Sequence, residues 1–296
     1  MRLRTTISWS RLRVRMSNQP TNQLRKGSRS VTHENQRPHI VLVGDSIFDN
    51  KAYVEGGCSV REHLQDLLGD EADVTLLAVD GSFANEVPRQ LEGLPAGATH
   101  IFMSAGGNDA LATRGAVDGY ALQDDRGSHY RDQQSARPLR DGAAEELEEL
   151  PATGGGILGR LRGPNIARIM RQLGGATHLL DLLAVLQGEF RLNYRKALGT
   201  LEQSGLPVAV CTVYDSIPDL HQRYRTALSL FNDLIIQEAA TRGLRVIDLR
   251  AICREESDYA PVSPIEPSDS GGRKVAAAIE RVFRDHPWDG ATRVYV

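Results

Sequence analysis

Residues 39–46 read HIVLVGDS, an apolar run that ends in a glycine and two polar residues. The β-branched and aliphatic content of His39–Gly44 predicts a buried β-strand, and the residues after it predict a turn. Four later apolar runs have the same character and are also predicted strands: Asp73–Val79, His100–Ala105, Pro207–Tyr214 and Leu244–Leu249.

Helical patterns separate these strands. The spacing of apolar residues predicts helices at Val60–Leu68, Ala84–Leu94, Arg223–Thr241 and about Gly271–Phe283. Strands that alternate with helices imply right-handed crossovers and a parallel sheet that is covered by helices on both faces. The sequence therefore predicts an α/β fold around about five parallel strands.

Two segments fall outside this alternation. The first 39 residues carry nine Lys or Arg and a single acid and show no apolar periodicity, so residues 1–38 are expected to be a disordered basic tail. This tail weakly resembles an organelle transit peptide, but a tail without function or a start at Met16 explains it more simply. The predicted domain spans residues 39–288 and contains a polar, acidic and glycine-rich insertion at about 112–180. That insertion is either a lid near the active edge of the sheet or a surface excursion.

The composition excludes several classes of protein. A formal net charge of −3 and an aromatic content of 5% argue against a nucleic-acid-binding surface. No apolar stretch approaches the ~20 residues of a membrane helix, and the tail lacks the apolar core of a secretory signal. The three cysteines are odd in number and widely spaced, which disfavours a disulfide framework. We expect a cytoplasmic protein that acts on a small molecule, with no nucleic-acid partner and no membrane span.

Three of the predicted strands end in residues suited to acyl chemistry. The first leads into Gly44-Asp45-Ser46, where Ser46 presents a hydroxyl as a nucleophile and its own N–H lies near a helix start. Gly81 follows the second strand. The third leads into Gly106-Gly107-Asn108-Asp109, where the Asn108 amide is able to donate to a developing negative oxygen. The carboxyl ends of parallel strands meet at one edge, so together the motifs predict one site, although each alone fits an ordinary turn.

Further polar residues near these motifs give weaker signals. Asp45, Asp49, Asp109 and Asp215 are expected to support the site or to bind substrate, although each also fits a turn or a helix cap. No His, Cys, Asp or Glu cluster has the sequence spacing of a metal site, and no glycine-rich phosphate loop is present. The sequence therefore predicts neither a metal nor a cofactor.

The stretches GDSIFD (44–49) and GGND (106–109), with Gly81 and the PSDSGG segment that opens the last helix, resemble the SGNH/GDSL hydrolase family. The resemblance covers roughly residues 39–110 and 183–285. It implies a flavodoxin-like three-layer α/β/α sandwich and hydrolysis of an ester of a small alcohol, a lipid or an acylated sugar. It also implies that Ser46 is the nucleophile and that the N–H groups of Ser46 and Gly81, with the Asn108 side chain, form the oxyanion hole.

The last block of that family, Asp-x-x-His, is altered in this sequence. Ser263 stands in the position of the aspartate and Glu266 in that of the histidine. One explanation is that burial raises the pKa of Glu266 so that it acts as the base, with Ser263 orienting it. A second is that another histidine replaces the base, with His221 the first candidate. A third is an inactive site that binds an acyl or carbohydrate ligand. An ion pair between Arg273 and Glu266 would argue against the first.

Overall fold

The computed structural model describes residues 37–113 and 179–296. Its main sheet has six parallel strands in the order β2–β1–β3–β4–β5–β8, and β6 and β7 form a separate antiparallel pair. The strands are β1 His39–Gly44, β2 Asp73–Leu76, β3 His100–Ser104, β4 Val208–Cys211, β5 Arg245–Ile247, β6 Tyr259–Ala260, β7 Ser263–Pro267 and β8 Val294–Tyr295.

Helices cover both faces of the sheet. They are α1 Val60–Leu68, α2 Val87–Gln90, α3 Gly107–Leu111, α4 Leu179–Gln203, α5 Gln222–Thr241, α6 Leu249–Ile252 and α7 Asp269–Arg284. Helices α1 and α7 pack on one face, and α4 and α5 pack on the other. Within the described ranges, none of these helices combines the length and apolar character needed to cross a bilayer.

The first strand shows why the fold has three layers. Ile40 and Leu42 point into the core beneath α1 and α7, whereas Val41 and Val43 point into the core beneath α4 and α5. All four side chains are fully buried. A strand buried on both faces needs a continuous apolar run rather than an alternating one, which is the pattern of this segment. The predicted three-layer α/β/α sandwich is confirmed.

The structure differs from the predicted elements in several places, besides the shorter bounds of β2, β4 and β5. The predicted helix Ala84–Leu94 is a series of short turns, in which only α2 is α-helical and Pro88 lies in its first turn. The main sheet has six strands rather than about five, because the two-residue β8 pairs with β5. The β6–β7 hairpin was not predicted. The predictions for the basic tail and for most of the insertion concern residues outside the described part of the chain.

The strand order determines where a site can form. From β1 the chain crosses outward to β2 and then returns past β1 to β3, so its direction across the sheet reverses between β1 and β3. In doubly wound sheets such a reversal leaves a crevice at the carboxyl ends of the two strands. Ser46 follows β1 and Asn108 follows β3, so the topology brings both to this crevice.

Candidate active site

The chain leaves β1 through a turn that only glycine can form. Gly44 has a φ of +121°, and a Cβ atom there would lie 1.6 Å from the carbonyl oxygen of Ser104. The next residue, Asp45, donates its N–H to that same oxygen at 3.0 Å. Ser46 then stands at the sheet edge with 6% of its surface exposed. Among the described residues its backbone N–H has no acceptor, so it is free to donate to a ligand.

Gln90 holds this turn from the neighbouring loop. Its Oε1 accepts from the Gly44 N–H at 2.7 Å, and its Nε2 donates to the Gly44 carbonyl at 2.8 Å and to the Ser82 hydroxyl at 3.2 Å. The side chain thus joins the end of β1 to the loop after β2. Gln90 could not be predicted from the sequence, because a glutamine 46 residues from its partner carries no motif.

The motif after β3 is fastened to the same loop. Asn108 is 3% exposed, and its Nδ2 donates to the carbonyl oxygen of Ser82 at 2.9 Å. An amide nitrogen carries two hydrogens, so one remains for another acceptor. Asp109 accepts from the Ala84 N–H at 3.0 Å, and burial raises the pKa of its carboxyl to about 7. These contacts fix the loop after β2 against α3.

A cavity of about 430 Å³ lies at this edge of the sheet. Its lining includes five of the predicted site residues: Asp45, Ser46, Asn108, His221 and Glu266. The other five are not among the described residues that line it: Asp49, Gly81, Asp109, Asp215 and Ser263. The structure therefore brings together the predicted nucleophile, one predicted oxyanion donor and both candidate bases.

Some predicted residues outside the lining hold loops in place. Asp49 accepts from the Asp80 N–H at 2.9 Å. Asp215 offers its carbonyl oxygen to the guanidinium of Arg225 at 2.6 Å. Gly81 is buried with a φ of +76°, and no described residue accepts its N–H.

Glu266 is placed by β7 and is only 1% exposed. Burial raises the pKa of its carboxyl to about 8, because an ionised carboxylate loses its hydration there. An interaction with the Ser46 hydroxyl lowers that pKa in part, and the nearby carboxylates of Asp45 and Asp80 raise it. Its Oε2 is buried without a partner in the described part of the chain. Glu266 therefore lines the same cavity as Ser46, and its carboxyl changes its charge at moderately alkaline pH.

Hydrogen bonds to the backbone on both sides hold Glu266 in position. The Tyr214 hydroxyl donates to the carbonyl of Ile265 at 2.6 Å, and the Asn50 Nδ2 donates to the carbonyl of Pro267 at 3.1 Å. Asn50 also accepts from the Val60 N–H at 2.9 Å and is fully buried. Because Asn50 lies four residues after Ser46, it ties the two halves of the site together.

Asp45 lines the same cavity in a different environment. Its Oδ1 accepts from the Ser104 hydroxyl at 3.0 Å and from the Ile47 N–H at 3.2 Å. Burial raises the pKa of its carboxyl to about 7, against the opposing effect of these hydrogen bonds. The paired oxygen identifies Asp45 as a brace of the turn that carries Ser46.

Two interactions considered from the sequence are not found among the described residues. Arg273 pairs with Asp269 at 3.0 Å and not with Glu266. Ser263 does not orient Glu266, because residues three apart in a strand point to opposite faces and Ser263 is not in the cavity lining. His63 on α1 is 8% exposed and contacts the carboxylate of Asp269, away from the cavity.

His221 remains a second candidate base on position alone. It lines the cavity and caps the N-terminus of α5, where its Nδ1 accepts from the Arg223 N–H at 3.3 Å. Its side chain is exposed, in contrast to that of Glu266.

Several solved structures share this fold. The chain is similar to the lipase Lip_vut3 from a goat rumen metagenome, with 14% identity and a TM-score of 0.52 over 82% of this chain and 96% of that one. It is also similar to a catalytic mutant of Axe2, an acetylxylan esterase from Geobacillus stearothermophilus, with 13% identity and a TM-score of 0.51 over 86% of this chain and 96% of that one. No curated protein matches the chain.

A family model provides the assignment that these distant structures do not. Residues 42–274 match the model of the GDSL-like lipase/acylhydrolase family, a span that includes Ser46, Asn108 and Glu266. This match confirms the resemblance stated from the motifs. The chain belongs to the GDSL-like lipase/acylhydrolase family, whose members hydrolyse esters.

Proposed function

We propose that the protein is a serine esterase in which Glu266 replaces the usual histidine as the general base. The observation that carries this proposal is that Ser46 and the buried carboxyl of Glu266 line one cavity, where the Ser46 hydroxyl lowers the pKa of that carboxyl. A free glutamate, with a pKa of about 4.3, is a poor match for a serine hydroxyl. A pKa of about 8 gives a stronger base that still ionises in an accessible pH range.

The proposed reaction begins when ionised Glu266 removes the Ser46 proton as Oγ attacks the acyl carbon of the ester. The carbonyl oxygen becomes negative and accepts from the Ser46 N–H and from the free hydrogen of the Asn108 amide. The Gly81 N–H is the third proposed donor. Glu266 then returns the proton to the leaving alcohol, which leaves an acyl group on Ser46. A water molecule, deprotonated by the same carboxylate, releases the acid and restores the hydroxyl.

The raised pKa of Glu266 predicts an enzyme that is most active at alkaline pH. With a pKa of about 8, roughly a tenth of the Glu266 carboxyls are ionised at pH 7 and most are ionised at pH 9. The fraction of active base, and hence kcat/KM for an ester substrate, should rise about tenfold per pH unit until it levels off near pH 8.

The cavity favours an apolar acyl group. Its lining is dominated by aliphatic side chains, which include Ile47, Leu111, Val213, Ile217, Leu228 and Ile265. A volume of about 430 Å³ lies within the range of roughly 300–1,000 Å³ that is usual for small-molecule sites. We therefore propose an ester with an apolar chain as the substrate, in preference to an acetylated sugar.

Hydrolysis of p-nitrophenyl esters from acetate to octanoate tests this assignment. Each methylene that becomes buried contributes about 0.8 kcal/mol, so kcat/KM should rise about fourfold per carbon until the cavity is full. Ala227 is buried in the lining, and Ala227→Phe should reduce octanoate turnover while acetate turnover persists as the internal control. A preference for acetate in the wild type, with acetylated xylan as a better substrate, would contradict the apolar assignment.

One observation favours a second candidate, a binding protein without turnover. Glu266 is mostly protonated at neutral pH, and its Oε2 is buried without a partner in the described chain, so the carboxyl is able to serve as a ligand contact. Such a protein would bind decanoate or a xylo-oligosaccharide with equal affinity before and after Ser46→Ala, and neither form would hydrolyse any ester in the series. Measurable turnover that Ser46→Ala removes would exclude it.

A further inference from the structure

Three side chains with metal-binding chemistry meet outside the cavity described above. Cys58 precedes α1, His63 lies within α1, and Asp269 is the first residue of α7. Their sulfur, ring nitrogen and carboxylate oxygen all lie within 4.8 Å of one another. None of the three lines the cavity that contains Ser46. The sequence spacing does not reveal this cluster, because Asp269 is 206 residues from His63 in the chain.

The backbone brings these groups together. Asp269 Oδ1 accepts from the Cys58 N–H at 2.8 Å and lies 3.1 Å from His63 Nε2. Gly57 allows this approach, because a Cβ atom there would lie 2.9 Å from the same oxygen. His63 is itself buried, with 8% of its surface exposed. The three donors are therefore held by packed helices and a close backbone contact rather than by long surface side chains.

We propose that Cys58, His63 and Asp269 form a binding site for a zinc ion. A thiolate, an imidazole and a carboxylate are the three donor types that zinc takes in proteins, at about 2.3 Å for sulfur and about 2.0–2.2 Å for nitrogen and oxygen. Calcium and magnesium take oxygen ligands instead, so this mixed set disfavours them. Three protein ligands leave the fourth position of a tetrahedral site to water. Binding requires loss of the His63–Asp269 hydrogen bond and of the Cys58 thiol proton.

The positive charge of Arg273 should weaken zinc binding, so removing that charge should increase the affinity. It pairs with Asp269 Oδ2 at 3.0 Å, while Oδ1 faces Cys58 and His63. Its side chain is 65% exposed, so its charge lies on the solvent side of the carboxylate. Arg273→Gln removes that like charge and should tighten zinc binding several-fold.

Cobalt titration of the full chain reads out the proposed ligands directly. Co²⁺ bound to a thiolate gives an intense near-ultraviolet charge-transfer band, which we expect to appear with one Co²⁺ per chain and to vanish when Zn²⁺ is added. Cys58→Ser should abolish the band, and His63→Gln or Asp269→Asn should weaken Co²⁺ binding at least about tenfold. The other two cysteines, Cys211 and Cys253, are each 1% exposed and serve as internal controls.

Thermal unfolding supplies a second measurement that does not depend on the band. Zn²⁺ should raise the Tm of the wild type, because it links α1 to α7, and should leave the Tm of Cys58→Ser unchanged. Circular dichroism without metal establishes that each variant folds. Absence of a thiolate band in the folded wild type, or its persistence in Cys58→Ser, would overturn the proposal. Ser46→Ala should bind Co²⁺ like the wild type, so this outcome is independent of the proposed esterase activity.

Discussion

The turn that carries Asp45 and Ser46 and the strand that carries Glu266 meet in one cavity. The carboxyl groups of Asp45 and Glu266 differ in their hydrogen bonding. Beside Ser46, Asp45 Oδ1 accepts two hydrogen bonds and belongs to a network that holds the turn. Across the cavity, Glu266 Oε2 has no partner among the described residues, and hydrogen bonds hold the backbone on each side of Glu266. The Asp45 carboxyl therefore supports the turn, whereas the Glu266 carboxyl remains available for proton transfer.

The largest effect is expected at the turn. Ser46→Ala removes the nucleophile and should lower kcat/KM for p-nitrophenyl esters by a factor on the order of 10⁴ or more, with an unchanged circular dichroism spectrum. Ser229→Ala, which changes an exposed serine on α5, is the matched control and should keep wild-type turnover. Equal turnover in the wild type and in Ser46→Ala would exclude the serine mechanism.

A smaller but still large loss of activity is expected when Glu266 on β7 is replaced. Glu266→Gln keeps the shape of the side chain and removes its ability to accept a proton, so activity should fall about 10²–10⁴-fold. Asp219→Asn removes an exposed carboxylate from the same cavity lining and should have little effect. If Glu266→Gln remained active and His221→Gln did not, the base would be His221.

The raised pKa of the Glu266 carboxyl should also affect the pH dependence of protein stability. The folded state raises the pKa of Glu266 from 4.5 to about 8, so between these values it holds a proton that the unfolded chain releases. Stability therefore falls as the pH rises through this window. Between pH 6 and pH 9 the wild type should lose about 2–3 kcal/mol relative to Glu266→Gln in urea unfolding. Parallel pH profiles for the two proteins would show that the carboxyl is not perturbed.

The smallest effect is expected when the hydrogen bond that holds β7 in place is removed. Tyr214→Phe removes the hydrogen bond to the Ile265 carbonyl, which should cost about 1 kcal/mol of stability and slow turnover about tenfold by loosening Glu266. Tyr295→Phe is the matched control, because its hydroxyl bonds to Asp285 and neither residue is among the described residues that line the cavity. Equal losses of activity in both variants would mean that Tyr214 acts only through general stability.

Some parts of the fold and of the site could be predicted from the sequence, and others could not. The bounds of β1 and α1 were predicted correctly because a fully buried strand and an amphipathic helix carry their periodicity in consecutive residues. The meeting of Ser46, Asn108 and Glu266 followed from strand order and motifs. Gln90 and Tyr214 were missed, because each donates to a distant backbone carbonyl and no residue pattern records that partner. The two-residue β8 was missed for a related reason, since pairing with β5 defines it.

The rate at which a fluorophosphonate probe labels Ser46 tests the central claim most directly, because phosphonylation needs the activated hydroxyl but no particular substrate. The wild type should label increasingly fast from pH 5 to pH 9 with a midpoint near 8, Glu266→Gln should label slowly at every pH, and Ser46→Ala should not label. A labelling rate that does not change with pH, or equal rates in the wild type and Glu266→Gln, would contradict the assignment of Glu266 as the base.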